Sequence, residues 1–113
     1  MTSKISSELP LSLQIYKAHA EWNDRQHEYR VIETQRGPLF SKRVLELLEE
    51  GKVKSVARGE REVEASDWWL TYLNGLVEAE YQSNQAKSKY RYLVDLALEQ
   101  REESYHERFT AKL

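Results

Sequence analysis

The sequence predicts an all-α protein, a long antiparallel helical hairpin with two short helices at the turn end. Three observations predict it. Helix breakers are few, with two prolines and four glycines in 113 residues, and they fall mostly between candidate segments. No stretch sustains the apolar–polar alternation of a strand. Two long segments carry apolar residues at alternating three- and four-residue steps, the spacing by which helices pair side by side.

Residues 1–9 read as a flexible polar leader, and 10–113 as a single helical domain. Pro10 suits a helix start, where a missing N–H costs nothing. Nothing then breaks a helix until Gly37-Pro38, which is expected to end it because proline cannot continue the hydrogen-bond ladder. Pro38 would open a short helix over 38–50, with Phe40, Val44, Leu47 and Leu48 on its apolar side and Gly51 at its end. A second short helix over 52–64 carries Val53, Val56, Ala57 and Val63. Gly59 interrupts it at a cost of about 1 kcal/mol. Ser66 is a good N-cap, and Asp67 suits the positive end of the helix dipole. From there the chain reads as one helix to about Arg108, roughly 60 Å long against about 40 Å for the first.

Leu11, Ile15, Ala18, Trp22, Arg25, Tyr29 and Ile32 form the first seam. Trp69, Tyr72, Leu76, Ala79, Ser83, Ala86, Tyr90, Leu93 and Ala97 form the second. Its small middle residues leave room for large ones such as Trp22 and Tyr29. Arg25 at a seam position must snorkel or pair. The last helix should outrun the first by about fifteen residues, and Tyr81, Tyr92, Val94, Leu96 and Leu98 lie wholly or partly off the seam. Spare apolar surface on a long hairpin points to association with a second copy or another protein. Tyr81, Tyr92, Tyr105 and Phe109 are the candidate protein-binding residues. Trp69 belongs to the core, and Trp68 should pack on the cap against Leu45, Leu48 or Val56.

Composition excludes several chemistries. Cysteine is absent, which rules out a disulfide framework, a thiol nucleophile and Cys-ligated zinc. No Gly-rich phosphate loop and no nucleophile elbow occurs. Glu103-x-x-His106 and Asp24-x-x-His27 have the i, i+3 spacing of di-iron bundles, but a hairpin would hold the two pairs about 25 Å apart. No cofactor, metal or small-molecule substrate is expected, and no enzymatic activity. Charged residues make up 32% of the chain and the net charge is −2, with a mean hydropathy of −0.78. That argues against a uniformly basic nucleic-acid binder. Local basic clusters remain: Lys42, Arg43, Lys52, Lys54, Arg58 and Arg61 near the turn, and Lys87, Lys89 and Arg91 interleaved with Tyr90 and Tyr92. Of these, Lys52, Lys54, Arg58, Lys87, Lys89 and Arg91 are the candidate nucleic-acid contacts, since cations track phosphates and rings stack on bases. Residues 38–64 could also pass for a helix-turn-helix, although acidic neighbours dilute the bases. No apolar run approaches the ~18 to 20 residues of a membrane span, so no membrane partner is expected and a cytoplasmic location is.

Leu11-x-Leu-x-Ile-Tyr-Lys-Ala-x-Ala and Asn84-x-Ala-Lys-x-Lys-Tyr-Arg-Tyr-Leu resemble small all-helical accessory proteins encoded in bacteriophage genomes. The resemblance implies a non-enzymatic protein that contacts host or phage machinery, in the cytoplasm of a bacterial host. It transfers no catalytic residue. A nucleic-acid accessory of recombination or replication is the second expectation. An inhibitor of a host defence nuclease, with acidic helix faces imitating DNA, is the third.

Overall fold

The computed structural model describes residues 9–112, so residues 1–8 of the expected leader and Leu113 lie outside the described residues. The described chain is an all-α antiparallel helical hairpin of three helices: α1 (Leu11–Glu49), α2 (Val56–Glu64) and α3 (Asp67–Lys112). It divides into two compact units. One joins residues 26–49 of α1, α2 and the start of α3, within Gln26–Gln82. The other joins residues 9–25 to residues 83–112.

Both seams are found where the spacing puts them. Every one of the seven α1 positions and nine α3 positions is buried or half-buried. In the 26–82 unit the Tyr72 hydroxyl donates to the Ile32 carbonyl, and Phe40 meets Trp69 with ring centroids 5.0 Å apart. Residue numbers rise along α1 as they fall along α3, which is the antiparallel order. The same order holds in the other unit, where His19 meets Tyr90 at 5.0 Å and the Lys87 ammonium lies 5.9 Å from the Trp22 ring.

One expected boundary is wrong. Gly37-Pro38 does not end the first helix, and the short helix expected over 38–50 is the continuation of α1. Proline inside a helix costs about 3 kcal/mol. Against it stand Phe40, Val44 and Leu47, each worth roughly 1.5–3 kcal/mol on burial. At 100° per residue these three fall on the same side of α1 as the seam residues Arg25 and Tyr29. A straight continuation therefore buries them, and a break would have to recover the phase. Residues 33–38 are all exposed, so the ring of Pro38 faces outward and the Thr34 carbonyl it leaves without a donor is open to solvent.

α1 ends at the expected glycine. Gly51 takes φ +72°, with its N–H on the Leu48 carbonyl at 3.1 Å and Lys52 N–H on the Leu47 carbonyl at 3.0 Å. That is a Schellman close, which needs a left-handed residue. α2 begins later than expected, because Ser55 caps it by accepting from Arg58 N–H at 3.2 Å. Ser66 caps α3 by accepting from Trp69 N–H at 3.2 Å. Gly59 is a close-approach residue rather than a weak point. A Cβ there would stand 2.9 Å from Val44 Cγ1, so only glycine lets α2 settle onto α1. Val44, Leu47, Val53, Val63 and Trp69 form the core of this unit, with Phe40, Leu48, Tyr72 and Leu73 packed around it.

Candidate functional site

The seams use one side of α3 and leave large apolar side chains on its others. Tyr81, Tyr92, Tyr105 and Phe109 are 55%, 65%, 68% and 56% exposed. They do not form one surface. Tyr81 and Tyr92 are eleven residues apart, about 20° around the helix, whereas Tyr105 and Phe109 lie on another face of α3. Sequence reasoning missed Leu70 and Val77, which are also more than half exposed and share the Tyr81 face. The signal was the 70, 77, 81 spacing, a second helical stripe opposite the seam. Leu98, half exposed, joins Tyr105 and Phe109. Every residue from 98 to 111 is exposed, so this stretch of α3 has no covering element among the described residues, as the length difference between the helices implied.

Trp69 is buried as expected, and Trp68 lies beside the expected 38–50 segment without being buried by it. It is 45% exposed and lines an open cleft with Leu39, Lys42, Arg43 and Glu46 of α1. The 100° between neighbouring helix positions explains this: with Trp69 committed to the core, Trp68 is carried to the side of α1 rather than onto α2.

The basic residues fall into two groups, one in each unit. Near the turn, Lys52 pairs with Glu50 at 2.9 Å and Arg43 with Glu46 at 3.0 Å. The Lys52 ammonium, with Arg43 beyond it, holds the Glu50 carboxyl below its ordinary range. Lys54 and Arg58 are exposed, and Arg58 uses its backbone N–H on the α2 cap. In the other unit, Lys89 lies 3.8 Å from Glu21 and Lys87 sits over Trp22, while Arg91 is exposed. Trp22 and Tyr90 meet at 5.5 Å with their rings tilted by 30°, so the aromatic neighbours of these lysines contact each other across the seam. The two Asp/Glu-x-x-His pairs belong to exposed stretches, and no group of three His, Asp or Glu side chains among the described residues is placed to hold a metal ion. No helix among the described residues is long and apolar enough to cross a membrane.

No protein-family model, no curated protein and no solved structure matches this chain.

Proposed function

We propose that this chain is a non-enzymatic binding protein that acts through the outer faces of α3, with a protein partner, a second copy of itself foremost. One observation carries the reading. α3 buries a complete seam yet keeps Leu70, Val77, Tyr81, Tyr92, Tyr105 and Phe109 more than half exposed. Scattered apolar residues on a surface are ordinary, but six large ones on a single helix, grouped by face, have the pattern of surfaces that partners cover. Contact with phage or host machinery in a bacterial cytoplasm is the setting suggested by the resemblance of the two seam segments to phage accessory proteins.

Light scattering across a concentration series tests the reading. A mass that rises toward twice the chain mass supports self-association. Tyr81→Ser and Tyr92→Ser together, neither of them at a seam position, should return it to the monomer. A monomer at every concentration, with no partner whose binding depends on these side chains, would remove the proposal.

A further inference from the structure

We infer that the start of α3 carries a docking face for a basic amphipathic helix of another protein, built on Leu70, Val77 and Tyr81. The inference rests on the proposed use of the outer faces of α3 and adds the chemistry of one partner. All of its residues belong to the 26–82 unit. At 100° per residue the three fall within an arc of about 40°, and each is more than half exposed. Leu73, half-buried against the core, joins the stripe to the interior on one side. The stripe covers about 17 Å, three turns of helix. Carboxylates border it: Asp67 and Glu78 on one side and Glu80 on the other, each within about 60° of it. All three are exposed, and none has a cation in ion-pair reach among the described residues.

Charge selects the occupant. Between Arg61 and Lys87 the chain has no lysine, arginine or histidine, so no base on this part of α3 dilutes the three acids. The neighbouring α2 adds Glu60, Glu62 and Glu64 against Arg58 and Arg61, which leaves the sign unchanged. The same face of a second copy would bring like charge against like, and nucleic-acid phosphates and anionic lipid headgroups would be repelled as well. A partner segment with lysines or arginines on both sides of an apolar stripe turns each of those contacts favourable. The shape of the face selects the partner's secondary structure. α3 offers no strand edge, and its three anchors are spaced by two helical turns and then one. A helix laid along α3 meets them in series with apolar residues of its own at one- and two-turn steps, and its bases come to the acidic borders.

The probe is a fluorescein-labelled synthetic helix of about 14 residues, long enough to span the stripe, with leucines along one face and lysines on both flanks. Fluorescence anisotropy should show it bound. Two control peptides, one with glutamate for every lysine and one with serine for every leucine, should bind about tenfold more weakly or worse. Val77→Ser with Tyr81→Ser, and separately Glu78→Lys with Glu80→Lys, should each lower the affinity about tenfold. These positions are exposed, so circular dichroism should show both variants folded. Glu102→Lys with Glu103→Lys makes the same charge change elsewhere on α3 and should shift the affinity by less than about twofold, because distant exposed charges are screened. No binding, equal binding of the serine peptide, or equal losses from the two lysine pairs would overturn the inference. Light scattering separates it from the proposed function: a chain that self-associates but ignores the probe loses this inference alone, and a chain that does neither loses both.

Discussion

Around Val63 and Trp69, three chain segments converge; around Ala18 and Ala86, only two do. In the first unit α2 lies on α1, and the start of α3 closes the third side, so Val63 is 1% exposed and Trp69 6%. In the second unit a single pair of helices meets along Ala18, Ser83, Ala86 and Leu93, with half-buried Trp22 and Tyr90 and the exposed His19 ring in mutual contact beside them. A helix pair can bury only a stripe, whereas a third element encloses side chains from all round. The difference teaches where cohesion and where contact with others should reside. The three-segment unit holds itself together. The two-helix unit carries the uncovered stretch from residue 98 onward.

The largest expected effect breaks this asymmetry directly. Trp69→Ala removes a ring packed on Phe40 at 5.0 Å and Tyr72 at 5.2 Å, and should cost about 3–5 kcal/mol. Trp22→Ala removes a half-buried ring and should cost about 1–2 kcal/mol, since less apolar area returns to water. Urea unfolding of the two variants measures the gap; equal losses would refute the contrast.

Glycine gives the next test, with opposite signs at two positions. Gly59→Ala would press a methyl to 2.9 Å from Val44 Cγ1. The stiff, buried valine has little room to yield, so overpacking of about 1–3 kcal/mol should exceed the gain in helix propensity of about 1 kcal/mol. Gly75→Ala meets nothing within 4 Å and should stabilise by up to about 1 kcal/mol. Thermal melts with Gly59→Ala above Gly75→Ala would contradict the packing described for α2.

Removing residues 100–113 should have a smaller effect still. Residues 98–111 are exposed throughout, so truncation should shift stability by less than about 1 kcal/mol. Their amides should exchange with solvent far faster than those around Val63. A large loss on truncation would mean that this stretch is covered after all.

The seams were legible because heptad spacing is a local property: sixteen predicted seam positions are all at least half-buried. Breakers mislead because their effect depends on the residues beyond them. Gly37-Pro38 looks like a stop until Phe40, Val44 and Leu47 are seen to resume the stripe in phase. Gly59 looks like an interruption because the sequence does not say that Val44, fifteen positions earlier, packs on it. Pro38→Ala tests this reading, and should stabilise α1 by up to about 3 kcal/mol if the helix is continuous through that point. On the outer faces, Tyr81, Tyr92, Tyr105 and Phe109 could be picked out as off-seam aromatics. Leu70 and Val77 carry a weaker signal of the same kind, the 70, 77, 81 spacing opposite the seam.

The smallest effect is confined to alkaline pH and to the three-segment unit. The Tyr29 hydroxyl hydrogen-bonds the Glu33 carboxylate, and the charges of Glu33 and Glu80 oppose a phenolate, so its pKa is pushed up from 10.0 to about 12. A group whose pKa is raised on folding is held in its protonated form. Its contribution is complete below pH ~10 and is lost as pH rises toward about 12. The side chain is solvent-accessible, so the effect is a weak slope rather than a transition. Difference titration of the phenolate absorbance, wild type minus Tyr29→Phe, should show one tyrosine ionising well above the ordinary range. Melting temperatures should fall less steeply between pH 10 and 12 in Tyr29→Phe than in the wild type. Parallel slopes, or a difference spectrum centred near pH 10, would show that the Glu33 contact does not form. Trp22→Ala, which perturbs the other unit, should leave the Tyr29 titration in place if the two units hold their own contacts independently.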